Sequence, residues 1–505
     1  YIYKGIQLLC LCARCIYASV IYVIAFRELK IKKIYSFFVA LLSVVGTICP
    51  DDGAALSALS ETPIAMCYVL IAYIMLKLCS SIDKKVKIKY SIFLSAILAY
   101  TYTIHSRCIV MYIAVIAVIV LYRIVYKDDL VNYSSIIFST IVMVLLAYFL
   151  TNMITDYFWQ NSGSTSKVAN DTINVLTDKM GTIKNMFDLN KLKIIVFNFL
   201  SLFSTLSIYT FGLSNFMIVY TIICVTRCVV KKIDKKIFLI GGFGILCFLA
   251  MNASISLMSV GALIKENYRW LTYLRYCKPF LSLMFLVFSY EFLKKDVSVK
   301  VPMILTVFVT VYFDKYVISV LYNSSYNFSY SLLERAIYEV GSDIRYYSLK
   351  MSLLTALFLA CILISAYKRK FLYIIIPYFL LSLPVFWSNF ETYRTFSENR
   401  HREIVGIESV FHEKLKEQNV TLWIVGSNSK MINSASLYLW DSSVKFASTI
   451  REIELNETDI YITKVQKIIE EFGKEFFAVE YPVIDDYYMF TDNMVFDDFV
   501  SGAIK

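Results

Sequence analysis

Histidine is almost missing from this chain: His105, His401 and His412 are the only three in 505 residues. A His-based metal site needs several imidazoles to converge, and His401 and His412 do not form an HExxH pair, so that chemistry is excluded. Glycine is scarce as well, with 15 residues. The turn after the apolar run 421–425 reads Gly426-Ser427-Asn428, too glycine-poor for a dinucleotide fingerprint. Cysteine is present, but all 12 lie before residue 362, scattered through apolar segments. That distribution gives no disulfide framework. Cys12 and Cys15 make a CxxC inside an apolar stretch with no second pair, and they read as small packing residues.

What the chain has in abundance is apolar length. Hydrophobic residues make up 58% of it, far above a soluble domain. They gather in about twelve stretches: 6–26, 34–49, 64–79, 90–104, 108–126, 133–152, 212–230, 237–258, 278–293, 301–320, 350–367 and 371–388. Each is close to the ~20 residues a helix needs to cross ~30 Å of hydrocarbon. The expected fold is an all-α polytopic transmembrane helix bundle over 1–390, with outer loops at 49–63, 153–191, 259–277 and 321–349.

The net charge of +11 does not point to nucleic acid, because the basic residues are not collected on one arm or face. They sit in alternate loops, around 27–33, 77–89, 123–127, 227–236, 294–300 and 368–370, whereas 49–63 has no Lys or Arg. The positive-inside rule makes those six loops cytoplasmic and places both ends of the chain outside. Residues 192–230 break the count, being apolar over about twice a span between loops that require an odd number of crossings. Two solutions stand: an interfacial or re-entrant segment at 192–209 followed by a span at 212–230, or one long kinked helix.

Residues 391–505 are soluble in character and alternate strand-like with helix-like runs. Strands are expected at 421–425, 436–440, 460–464 and 476–481, and helices at 403–418 and 465–474. That alternation predicts a small extracytoplasmic α/β domain.

Ionisable residues at the edge of a span are costly and mark candidate functional sites. Three places qualify, all on the outer side. Asp51, Asp52 and Glu61 lie between two spans, where carboxylates can cap a helix, bind a metal or take a proton from a hydroxyl. A divalent metal is compatible with them, and none is required. His105-Ser106-Arg107 forms a tight turn, whose arginine can snorkel to headgroups or grip a phosphate. The densest group is 269–276, Arg-Trp-Leu-Thr-Tyr-Leu-Arg-Tyr. On a helix Arg269, Tyr273 and Tyr276 would share a face and Arg275 would point elsewhere. This group is either an interfacial aromatic belt or a phosphate site; arginines on the outer side run against the positive-inside trend. Asp314 and Lys315, near the outer end of a span, read as a self-neutralising pair.

The order of these motifs resembles bacterial members of the C-superfamily (GT-C) of membrane glycosyltransferases. The resemblance lies in Pro50 with Ser60-Glu61, in His105-Ser106-Arg107, loosely in Thr210-Phe211-Gly212, and most in Arg269 with Tyr273-Leu274-Arg275-Tyr276. Leu274 stands where the family pattern has glycine. The likeness covers roughly 1–390. It implies transfer of a sugar from a polyprenyl-phosphate donor to a cell-envelope glycan or glycolipid on the outer face of the cell membrane. It also implies a catalytic Asp or Glu in the loop after the family's first helix, so 6–26 would correspond to the second helix, with the base upstream of Tyr1. Asp51, Asp52 and Glu61 are then supporting acids, and His105, Arg107, Arg269, Tyr273, Arg275 and Tyr276 bind substrate. The partners implied are the lipid-linked sugar, a glycan or lipid acceptor and membrane lipids, with no nucleic acid. A transporter or flippase of a lipid-linked or anionic substrate is the alternative; the two halves show none of the internal similarity it predicts. A receptor-like scaffold is a third reading, and it leaves the outer Arg/Tyr cluster unexplained.

Overall fold

The computed structural model describes residues 2–45, 60–160, 188–294, 298–323, 344–384, 387, 391 and 394–395, with strand segments at 421–425, 444–447, 459–463, 478–480 and 488–490. The chain divides into two compact units. One comprises Gln7–Ala147 and Met180–Tyr393; the other comprises Tyr1–Ile6, Tyr148–Lys179 and Arg394–Lys505.

The larger unit is helical: α1 (Ile2–Val23, beginning in the other unit), α2 (Lys33–Val45), α3 (Glu61–Ser80), α4 (Lys84–Ile104), α5 (Ile109–Tyr126), α6 (Tyr133–Gln160, passing into the other unit), α7 (Leu189–Tyr209), α8 (Leu213–Lys231), α9 (Lys235–Met258), α10 (Val260–Ile264), α11 (Leu281–Lys294), α12 (Lys300–Tyr312), α13 (Ile318–Asn323), α14 (Ile344–Lys368) and α15 (Leu372–Pro384). Among the described residues nine helices are long and apolar enough to cross a bilayer. Eight coincide with expected spans, and the ninth is α7. Of the other expected spans, 34–49, 278–293 and 371–388 fall on helices of 13, 14 and 13 residues. At 1.5 Å per residue the described part of each reaches about 20 Å. The fourth, 90–104, lies in α4, whose first turns carry four lysines.

The bundle is apolar outside as well as inside. Phe138 and Leu145 on α6 are 72% and 62% exposed, an arrangement suited to lipid and costly in water. Cys12 and Cys15 also lie on an exposed surface, so they are not packed as expected; Cys10 is buried. At the centre, Tyr68 of α3 packs on Phe243 of α9, and its hydroxyl donates to the Phe280 carbonyl at 3.0 Å. Gly244 makes room for it, since a Cβ there would lie 3.1 Å from that hydroxyl.

The alternate basic loops meet at one end of this bundle. Lys77 and Lys236 both donate to the buried Glu28 carboxylate, at 2.6 and 3.0 Å. Lys235 pairs with Asp128 at 2.8 Å, Lys294 with Asp234 at 3.5 Å, and Arg227 with Glu291. Five loops predicted to share a side are therefore tied together. Glu61 and Lys77 stand near opposite ends of the one helix α3, about 24 Å apart at helical rise.

Residues 189–231 form two helices broken at Thr210, Phe211 and Gly212, the last two in the left-handed region at φ 54° and 81°. Asn198 donates to Ser259, just past one end of α9, at 2.6 Å, and beyond the break Thr221 lies against Gly241 near the other end of α9, where a Cβ would come within 3.0 Å of its methyl group. The chain thus advances along α9 through the break instead of doubling back. Of the two expectations for 192–230, a long interrupted helix describes this path.

In the other unit, five strands form one mixed sheet: β1 (Leu422–Val425), β2 (Val444–Ala447), β3 (Ile460–Thr463), β4 (Ala478–Glu480) and β5 (Tyr488–Phe490), in the order β2-β1-β3-β5-β4. β1 runs parallel to β2 and β3, and β5 antiparallel to β3 and β4. The central strands are buried on both faces: Leu422, Ile424 and Val425 on β1, and Ile460, Tyr461 and Ile462 on β3. Asp459 fastens them by accepting from the Thr421 N–H and the Trp423 indole. Three expected strands are present; the one expected at 436–440, and the helices at 403–418 and 465–474, lie outside the described residues.

Candidate functional site

Three separate segments of the sequence converge at the end of the bundle opposite the basic loops. α3 begins at Glu61, whose side chain is 1% exposed although it opens the helix. The turn between α4 and α5 carries His105 and Arg107. The third segment is the connection between α10 and α11. It is not the continuous helix on which Arg269, Tyr273 and Tyr276 would share a face. It forms a short 3-10 turn at Tyr268–Leu271, an irregular stretch, and a second 3-10 turn at Lys278–Phe280. Thr205 of α7 holds it by donating to the Leu271 carbonyl at 3.1 Å, and buried Leu271, Leu274 and Cys277 pin it to the core. Leu274, in place of glycine, is not in the left-handed region, so the turn needs no glycine there.

The irregular path still brings the aromatic residues together. Trp270, Tyr273, Tyr276 and His105 form a ladder with successive ring separations of 5.1, 5.3 and 5.8 Å. The Arg107 guanidinium lies over the Tyr276 ring at 4.1 Å, and Arg275 approaches the same ring at 5.7 Å. The Arg107 backbone N–H donates to His105 Nδ1 at 3.2 Å, which fixes the tight turn.

Arg275 is committed to a carboxylate. Its Nε and Nη2 reach the two oxygens of Glu61 at 2.5 and 2.9 Å, a two-point pairing whose fork geometry lysine cannot reproduce. Burial disfavours the guanidinium charge, but Glu61 outweighs burial and holds the Arg275 pKa above its ordinary value. Burial, reinforced by Tyr276, pushes the Tyr273 phenol up to about 12. Arg107 has no such carboxylate: among the described residues it forms no ion pair, and its Nη1 is buried without a hydrogen-bond partner.

One cation was missed in the sequence. Lys278 is 2% exposed, hydrogen-bonds the Tyr209 hydroxyl at 3.1 Å and lies 4.3 Å from the centre of that ring. It follows the Arg/Tyr run by two residues and opens an apolar stretch, so it reads as an ordinary flanking cation. Asp51 and Asp52 lie outside the described residues, as does the Arg269 side chain. Asp314 accepts from Ser348 at 2.6 Å, which makes it a structural contact between helices. Among the described residues no three metal-ligating side chains gather.

The geometry is that of a cluster of charged and aromatic side chains at one end of a multi-pass helical bundle. No known family's sequence profile matches the chain, and no curated protein matches it. It is similar to a crystal structure of ArnT from Cupriavidus metallidurans bound to undecaprenyl phosphate, at 9% identity, over 96% of this chain and 83% of that one, with a TM-score of 0.46.

Proposed function

We propose that this chain is an integral membrane glycosyltransferase, moving a sugar from a polyprenyl-phosphate donor to a cell-envelope glycan or glycolipid on the outer face. The observation that carries the reading is the convergence of Glu61, His105, Arg107, Tyr273, Arg275 and Tyr276 at one end of an apolar bundle. Such an end meets the headgroup of a lipid donor. In the reaction the acceptor hydroxyl attacks the anomeric carbon, its proton passes to a carboxylate, and the bond from carbon to phosphate oxygen breaks. Negative charge grows on the departing polyprenyl phosphate, and Arg107 and Arg269 supply the opposing field while Arg275 is held against Glu61. Tyr273 and Tyr276 stack on or hydrogen-bond the sugar. Asp51, Asp52 and Glu61 are the candidate carboxylates for that proton; Glu61, held by Arg275, suits a supporting role.

The break at Thr210–Gly212 favours a second reading. Asn215 and Thr355 beside it are buried and polar, and interrupted helices with polar linings occur at the substrate sites of transporters. Purified protein given a polyprenyl-phosphate-linked sugar and a panel of glycan acceptors separates the two. Transfer supports the enzyme; lipid translocation in vesicles without transfer supports the carrier.

A further inference from the structure

The two described arginines of the site stand in different electrostatic positions around one aromatic ring. Arg275 faces a carboxylate that is almost fully buried, and both donors on that side are spent on it. Arg107 lies on the same Tyr276 ring, and its buried Nη1 has no acceptor among the described residues. A buried guanidinium N–H without a partner is expensive, and an anionic oxygen is the partner that suits it. A carboxylate buried this close to a phosphate would repel it unless neutralised.

We propose that the phosphate of a lipid headgroup is met by Arg107, and that Arg275 serves it indirectly, as a positioning residue that neutralises Glu61. Tyr276 holds the Arg107 guanidinium in place, and Glu61 with Arg275 forms a pair that is close to neutral from the ligand's side. The inference rests on the donor class proposed above and adds a division of labour between two residues that sequence alone treats as equivalent. Its rival is direct contact of both arginines with the phosphate, Glu61 merely orienting Arg275.

The rival readings differ in sign for one substitution. Glu61→Gln keeps the shape and releases the Arg275 charge. If Arg275 only neutralises, phosphate binding becomes equal or tighter; if Glu61 orients a direct contact, binding weakens. The test uses the full chain in lipid nanodiscs and a radiolabelled polyprenyl monophosphate as probe, with thermal unfolding of every variant as a check on folding. Arg107→Ala should weaken binding roughly ten- to a hundredfold, the loss of a charge-assisted contact. Arg275→Ala should weaken it about tenfold, because the Glu61 charge is exposed to the headgroup. Glu61→Gln combined with Arg275→Ala should return to within about threefold of the wild type, since the charge to be neutralised is gone.

A double variant as weak as Arg275→Ala, or a Glu61→Gln variant weakened tenfold, overturns the inference and leaves the donor class standing. Should Arg275→Ala fail to fold, Glu61→Gln and the double variant still decide. Displacement of the probe by an equal concentration of inorganic phosphate would assign the site to a soluble anion and overturn the lipid headgroup. No binding to wild-type protein removes the proposed donor and the inference with it.

Discussion

Glu61 and Arg275 stand 214 positions apart in sequence and meet in a two-point ion pair, with the carboxylate 1% exposed at the first turn of α3. The pair ties the start of one deeply buried helix to the loop that carries the aromatic ladder. It therefore fixes Tyr276, and through Tyr276 the position of Arg107. A local charge interaction thus sets the geometry of three segments.

Removing one partner of such a pair leaves the other charge buried. Arg275→Ala should lower the melting temperature of the purified protein, by more than Glu61→Gln combined with Arg275→Ala does. The arginine side chain is 37% exposed, so water screens part of the loss and about 2 kcal/mol is expected. A double variant as unstable as the single would show that the pair contributes packing only.

The basic loops predict topology. Cysteines placed at Lys84 and Lys235 in a cysteine-free background should react with a membrane-impermeant reagent only after the cytoplasmic face is opened. Cysteines in 151–191 and at Lys505 should react in intact cells. Lys235 is already tied to Asp128 in the next basic loop, so labelling of 84 and 235 from different faces would contradict both the charge rule and the fold.

The break in the long helix depends on one glycine. Gly212 has φ +81°, and a Cβ there would lie 2.9 Å from Thr306 Cγ2 and 3.0 Å from Thr355 Cγ2. Gly212→Ala should destabilise the protein by about 1–2 kcal/mol through backbone strain and crowding. Thr355→Ser, which removes one of the two methyl groups, should recover part of that loss in a thermal unfolding assay. Full recovery would mean that the backbone contributes nothing.

The charge pattern made the helical bundle and the shared side of its basic loops legible, because both follow from residue type and spacing alone. Six of the candidate site residues were legible for the same reason, as polar groups at apolar boundaries. Their pairing was not: nothing in the sequence joins Glu61 to Arg275 rather than to Arg107, since that choice is made by packing across the bundle. The helical spacing read into 269–276 failed because Thr205 and the buried Leu271 hold the segment in an irregular path. The edge strand at Val444–Ala447 was missed because Lys445 interrupts its apolar run, whereas Leu422–Val425, of the same length, is apolar throughout.

The Tyr273 phenol, pushed up to about 12 by burial and Tyr276, stays neutral where an ordinary tyrosine, near 10, would begin to lose its proton. It remains a hydrogen-bond donor throughout the working range. The pH–rate profile of transfer should therefore show no alkaline limb from this group below about pH 10, and Tyr273→Phe should lower the rate without changing the profile's shape. An alkaline limb present in the wild type and lost in Tyr273→Phe would contradict the buried environment.

The arginines carry the mechanistic prediction. If a polyprenyl phosphate is the leaving group, Arg107→Ala should reduce transfer roughly ten- to a hundredfold, at 1.5–3 kcal/mol for a charge-assisted contact. Arg107→Lys should be intermediate. Lysine keeps the charge but loses the planar face that lies 4.1 Å from the centre of the Tyr276 ring, and with it the fork that engages two oxygens. Tyr276→Phe preserves the stacking surface and should cost less than Tyr276→Leu, which removes it. Arg269→Ala and Arg275→Ala should each reduce transfer more than their lysine counterparts. Rates are to be measured on purified protein with a lipid-linked sugar, alongside unfolding midpoints to separate chemistry from stability. Unchanged rates in all three alanine variants would reduce the cluster to an interfacial belt, because a belt of aromatics and cations anchors the bundle without touching the leaving group.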